Sequence, residues 1–195
     1  MRYTKGIASV SLWGNLLFLI VIVLLNFLRP DKNPLTCFVS EYGIGDYGWL
    51  MTTEFFSFAT AAVALFSGLL MTIQASKTNI ITFSIFCGGA FLFSIFTTDL
   101  PEDRPTPYGL IHGFSALLAL ISLGISMIAW AQAFKKRKGG EKMAMLSRFF
   151  RLISLALFIV FFLSPHYLRG FTERILLAWD IDWLLLISSH LFRYR

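Results

Sequence analysis

Apolar residues run in six long blocks, each close to the roughly 20 residues that cross a hydrocarbon core of about 30 Å at 1.5 Å per residue. The blocks fall at about 7–28, 48–75, 80–98, 107–134, 148–164 and 174–192, and the pattern predicts a helix over each. Local signals close them: Arg29-Pro30 after the first, Lys77 after the second, Pro101, Pro105 and Pro107 around the third turn, and Lys135 to Gly140 after the fourth. Thr106 followed by Pro107 reads as an N-cap and first helical residue. The first block is longer than a signal-peptide core and lacks a small-x-small cleavage site, so an uncleaved helix is expected there. The predicted fold is all-α: a polytopic six-transmembrane-helix bundle forming one integral membrane domain over residues 1–195.

Composition agrees with that pattern. Hydrophobic residues make up 56% of the chain and charged residues 14%, against about 45–50% and about 25% in soluble domains, which excludes an aqueous globular fold. A net charge of +6 would raise nucleic acid as a partner in a soluble chain, but here the distribution of charge explains it. Arg2, Lys5, Lys77, Lys135, Lys136, Arg137, Lys138, Lys142, Arg148, Arg151, Arg193 and Arg195 fall on one side, and Arg29, Lys32, Arg104, Arg169 and Arg174 on the other. The positive-inside rule puts the richer side and both termini in the cytoplasm. The run Lys135 to Lys138 then reads as a topogenic and lipid-headgroup feature, and no nucleic-acid partner is expected. Tyr42, Tyr47, Trp49, Tyr108, Tyr167, Trp179 and Trp183 at the outer edge, with Tyr3, Trp130 and Tyr194 at the inner, read as aromatic belts.

Polar residues inside the blocks carry the candidate chemistry, because an ionisable group in hydrocarbon needs a partner or a wet cavity. The second helix has Glu54, Ser57, Ala61, Ala64, Gly68, Met71 and Ala75 at steps of three or four, a mostly small stripe headed by a carboxyl. His112, Ser115, Ala119, Ser122, Ser126, Ala129 and Ala133 repeat the device on the fourth. Such stripes let membrane helices approach closely, and the same faces could hold another membrane protein. Asp99 and His112 sit at similar depth on adjacent antiparallel helices, and Glu173 and Asp180 share one face of the last. Together with Glu54 and the loop residue Glu41 they are expected to converge near the outer leaflet, with Asp99 and His112 within hydrogen-bonding reach as an acid–base pair. Cys37 and Cys87 lie at depths too different for a disulfide.

Three chemistries could use these residues. Zinc hydrolysis could draw ligands from Asp99, His112 and His166 with Glu173, but no HExxH or HxxxH spacing exists. A b-type haem needs two facing histidines; His190 lies at the other end from His112 and His166, and His166 follows Pro165 in a loop. Serine hydrolysis lacks GxSxG, and Ser40 reads as loop chemistry. No cofactor follows from the sequence.

Several segments taken in order, Leu28 to Pro34, Val39 to Gly45 running into Gly48-Trp49-Leu50-Met51, Phe96 to Asp99, Gly109 to His112, and Glu173-Arg174 before Trp183, resemble the multi-pass prokaryotic proteins of domain-of-unknown-function family 998. The resemblance implies six helices, an outward-facing site and a prokaryotic plasma membrane, and brings no activity with it. The leading functional reading is an integral membrane protein that binds or senses a lipid headgroup or small amphiphile in an outward-facing polar pocket. The alternatives are a metal-assisted or acid–base lipid hydrolase using Asp99 and His112, and an accessory subunit of a membrane complex. The charge asymmetry gives a direct test of orientation: reporter fusions at either terminus should both report the cytoplasmic side, and an external C-terminus would refute the helix count or the orientation.

Overall fold

A computed structural model describes residues 2–193 of the chain. Tyr194, Arg195 and the side chains of Arg2 and Tyr3, named above among the basic and aromatic positions, lie outside the described residues. Six helices follow one another: α1 (Arg2–Leu28), α2 (Gly48–Thr72), α3 (Lys77–Ile95), α4 (Pro107–Lys135), α5 (Glu141–Leu163) and α6 (Arg169–Phe192). Two short 3-10 turns, Val39–Gly43 and His166–Leu168, interrupt the loops, and the described residues contain no strand. All six helices are long and apolar enough to cross a membrane.

Helix ends differ from the hydropathy pattern where polar residues continue a helix past its apolar block. α1 begins five residues earlier than the pattern, and α5 begins at Glu141 rather than 148. Arg151, read from the sequence as a residue at the cytoplasmic edge, therefore lies near the middle of α5. α3 starts early because Ser76 caps it, accepting from the Asn79 amide while Asn79 accepts from the Ser76 N–H in a reciprocal capping box. α4 starts as expected, with Thr106 accepting from the Gly109 N–H and Pro107 at the first helical position.

Each helix packs on the next, and α6 returns to α1 and also touches α2, so the six form a closed ring. Small residues set two of its seams. A side-chain Cβ at Gly14 of α1 would lie 2.7 Å from the Ala61 Cβ of α2, and one at Gly89 of α3 would lie 2.8 Å from the Ser115 carbonyl oxygen of α4. All seven positions of the α4 stripe, His112 to Ala133, are buried as expected. On α2 the stripe holds at Glu54, Ala61 and Gly68, whereas Met71 turns outward and Ala64 is half-buried. Paired hydroxyls bridge helices where water is excluded: Ser11 to Ser188 across α1 and α6 (2.8 Å), and Ser126 to Thr82 across α4 and α3 (2.8 Å). Outward faces carry bare apolar side chains such as Trp13, Phe27 and Leu163, the surface a lipid-facing helix presents.

Three aromatic residues assigned to belts belong to the interior instead. Trp130 and Trp183 are fully buried, Trp183 donating to the Ser147 hydroxyl on α5, and Tyr42, in the 3-10 turn of the first loop, is buried too. Trp179 stacks on Phe150 and donates to its carbonyl. Helical phase turns the tryptophans inward, and loop packing buries Tyr42, properties that residue type and depth do not reveal. Trp49, Tyr108 and Tyr167 are exposed.

The α3–α4 seam yields a discriminating prediction. Gly89→Ala forces a methyl against the α4 backbone and should lower the melting temperature in detergent by the equivalent of about 1–3 kcal/mol, the usual cost of overpacking. Gly88→Ala, whose Cβ would meet nothing within 4 Å, should melt like the parent. Equal melting of the two variants would refute the close approach.

Candidate functional site

The first loop, between α1 and α2, is folded across the end of the ring. Arg29 anchors it: the guanidinium makes a two-point ion pair with Asp31 (2.8 and 2.7 Å) and donates to the carbonyls of Ile44 (2.9 Å) and Asp46 (2.6 Å). The ion pair with Asp31 keeps Arg29 firmly charged, and the Arg29 guanidinium in turn holds the Asp31 carboxyl below the usual carboxylate range. Gly45, at φ 82, lets the backbone turn beside that guanidinium where a side chain would be strained.

The start of α6 holds the other half of the loop. Arg174 donates from one nitrogen to the carbonyls of Pro34 (3.0 Å), Cys37 (2.7 Å) and Gly170 (2.9 Å), with the Tyr42 ring 5.4 Å from its guanidinium carbon. Glu173 accepts from the Val39 N–H (2.7 Å), and the Phe171 N–H bonds the Leu35 carbonyl (3.1 Å). Gly170 is required here because a Cβ would fall on the Cys37 carbonyl. Tyr42 donates to Asn26 on α1 (2.6 Å). Glu41 accepts from the Phe38 N–H (2.9 Å) and lies 3.6 Å from Lys32, so it shapes the loop. Cys37 is buried and free, and burial pushes its thiol up to about 11; Cys87 is also free.

Beneath this roof lies a cavity of about 490 Å³, walled by all six helices and the loop. It reaches from Phe38, Val39 and Ser40 at the roof to Leu123, Phe86 and Asp180 well inside the ring. Its surface is chiefly phenylalanine and leucine, with His112, Arg169, Glu173 and Asp180 as the ionisable groups in the wall. Glu173 and Asp180, seven residues apart, stand about 10 Å apart along α6. Asp180 is only 3% exposed and its Oδ1 has no hydrogen-bond partner, although the Ser154 hydroxyl and the Arg151 guanidinium act on the carboxyl from α5. Arg151 fits because Gly124 of α4 leaves room for its guanidinium.

The remaining candidates are placed elsewhere. Asp99 accepts from the Thr106 N–H (2.8 Å) and hydroxyl (2.7 Å), bonds that hold its carboxyl below the usual range, and it fills the space above Gly109 at the start of α4. It is not part of the cavity wall. The hydrogen bond expected between Asp99 and His112 is not formed, because the His112 Nδ1 pairs with the Phe96 carbonyl (2.8 Å). An exposed carboxylate beside a helix N-terminus is satisfied most directly by the local amide and hydroxyl, and those bonds compete with the imidazole. Glu54 is buried away from the cavity, near Ser57, with Oε1 unpartnered. His166 is exposed in its 3-10 turn, and among the described residues no three His, Cys, Asp or Glu side chains gather to hold a metal.

Ser40, Arg169, Arg151 and the clamp residues Arg29 and Arg174 were not singled out as site residues from the sequence. The signal that could have found Arg29 and Arg174 is their position: arginines at the ends of apolar blocks, flanking a loop that contains several turn-forming residues. A family model described as "Protein of unknown function (DUF998)" matches residues 12–190 of the chain. No curated protein and no solved structure matches it.

Removing the α6 clamp should loosen the roof selectively. Arg174→Met leaves three carbonyls without their donor and should destabilise the fold by about 2 kcal/mol. Amide exchange should accelerate most in residues 34–41. Unchanged exchange there would show that the loop is held by something else.

Proposed function

The chain belongs to the DUF998 family, and because that family carries no stated activity we propose, from the cavity itself, a membrane-embedded protein that binds or senses a small amphiphile. The observation that carries this reading is the cavity: about 490 Å³, in the usual range for small-molecule sites, mostly apolar, with a few ionisable groups converging on it. An amphiphile matches such a lining, its apolar body against the phenylalanines and its polar end against the strip formed by His112, Glu173 and Asp180. Entry is from the bilayer between the first half of α4 and the second half of α5. α5 is the least packed helix, only 11% of its apolar window being buried, and Phe161 and Phe162 on it face the same cavity as Ala116 and Leu120 on α4. The cavity lies at the end of the ring opposite the termini. With both termini cytoplasmic, the site faces outward in a prokaryotic plasma membrane.

An acid–base hydrolase built on Asp99 and His112 receives less support, since each residue is engaged by a backbone partner and Asp99 lies outside the cavity wall. The accessory-subunit reading has one observation in its favour. Asp182 is exposed on the outer face of α6 near mid-span, where a carboxylate costs about 2.5–3.5 kcal/mol in lipid and a partner helix could pair it.

A photoactivatable alkyl alcohol carrying a diazirine, added to protein in lipid nanodiscs, should crosslink to cavity residues of α4 and α6. The double variant Ala116→Phe, Leu120→Phe fills that space and should lose those crosslinks while keeping those on outward faces. Crosslinks unchanged by filling would overturn the reading.

A further inference from the structure

We infer that the chain pairs with a second copy of itself across the outward face of α5, Arg148 of each copy meeting Asp182 of the other. The inference is independent of what fills the cavity, and it supplies the partner that Asp182 lacks within one chain.

Two outward-facing charges are the starting point. Among the described residues, the exposed charged side chains more than one turn inside a helix are Arg148 of α5 and Asp182 of α6. Arg148 stands seven residues past the start of α5 and Asp182 ten residues before the end of α6, about 10 and 15 Å in from those ends. Neither makes a hydrogen bond or an ion pair with another described residue. A charge facing hydrocarbon is costly, and one acid with one base is the combination that relieves both.

Helix register puts the two at one depth. Trp183 of α6 donates to the Ser147 hydroxyl (3.0 Å) and Trp179 to the Phe150 carbonyl (2.9 Å), so Asp182 lies level with Ser147 and Arg148. They do not pair within one chain because α5 stands between them. Ser147 and Phe150 meet α6 while Arg151 meets Gly124 of α4, so Arg148, about 100° round the helix from Ser147, points out on the α4 side. Asp182, about 100° from the buried Trp183, points out from α6 on the other side of α5.

The ridge between them is bare. Met145, Phe149, Leu152 and Ala156 are exposed along α5, and only 11% of that helix's apolar window is buried, against 33 to 56% for the other five. A two-fold axis along the membrane normal, laid on this ridge, keeps depth and orientation the same in both copies and exchanges the two flanks. Each Arg148 is thereby carried to the partner's Asp182, giving two ion pairs beside an apolar seam, with Ala156 small enough for the ridges to approach closely. The pairs lie in the first half of α5, clear of Phe161 and Phe162 in the cavity wall. A helix with one charge of its own would satisfy one member of the set; a second copy satisfies both through a single contact.

The test follows the dimer content of the full chain in zwitterionic vesicles by single-molecule photobleaching as the protein-to-lipid ratio is lowered. The parent should bleach in two steps, and Arg148→Gln or Asp182→Asn should each weaken the dimer by about tenfold, since each removes one member from both pairs. Co-expression separates an intermolecular pair from a structural role within one chain. A tagged copy carrying Arg148→Asp and a differently tagged copy carrying Asp182→Arg should capture each other about tenfold better than either captures itself. Ala156→Cys should form an interchain disulfide, and Leu70→Cys on the exposed face of α2 should not. If the charge-reversed copies fail to insert, the neutral variants and the Ala156→Cys crosslink decide. A parent that is monomeric at every ratio would overturn the proposal and leave Asp182 to a different chain. Dimers insensitive to both neutral variants, or dimers in which Ala156→Cys does not crosslink, would overturn it too.

Discussion

The space inside the ring is roofed because the first loop is laid across it, and that loop is held chiefly by two adjacent residues of α6. Arg174 donates to three carbonyls, two of them in the loop, and Glu173 accepts a loop N–H. Loop backbone drawn over an apolar opening must find partners other than water, and each unmatched group would cost about 1–3 kcal/mol. Opposite charges at consecutive positions meet this need together, one serving carbonyls and the other an amide. Arg29 does the same for the end of the loop near α2. Loss of either anchor would return those groups to solvent and remove Phe38, Val39 and Ser40 from the roof.

The chamber itself follows from unequal packing around the ring. Glycines bring α1 against α2 and α3 against α4, so these two pairs are tight. α4 and α5 are joined by a short turn at the far end and packed there through residues such as Phe134, Met143 and Ala144. Toward the loop end α5 exposes Leu155, Ile159, Val160 and Phe162, and nothing of comparable bulk closes it onto α4. Dispersion favours filling such a gap, yet the large side chains at hand are already packed edge to face along the wall, Phe55 against Phe93 and Phe58 against Phe86. What remains is an aromatic-walled volume with His112, Arg169, Glu173 and Asp180 as the ionisable groups in its wall.

Most of the helical framework was legible in the sequence because hydropathy and the 3.6-residue period report directly on span and facing. The α4 stripe and the shared face of Glu173 and Asp180 follow from that period, and the Thr106 cap from the Thr-Pro pair that opens α4. The rest depends on contacts distant in sequence. The loop has no period, so nothing local told that Val39 would meet Glu173, 134 residues later. Asp99 was read as a partner of His112 from proximity, whereas competition by the Thr106 amide and hydroxyl is decided by the geometry of the turn. Arg151 was assigned to the edge of a span because it is charged, although a glycine across the seam makes room for it at mid-span.

The two aspartates show how the same residue type takes different roles in this fold. Asp99 is half-buried before the start of α4, with both oxygens occupied by the Thr106 amide and hydroxyl. Asp180 stands inside the ring with one oxygen unmatched and a guanidinium nearby that does not close on it within hydrogen-bonding distance. A buried pair kept only for stability is expected to close fully, since an open one retains the desolvation cost without the full Coulombic return. Arg151 resting against Gly124 offsets part of the charge from outside the cavity wall, and the Asp180 Oδ1 stays covered by protein without a donor. That partial compensation sets Asp180 apart from Asp99, both of whose oxygens are matched.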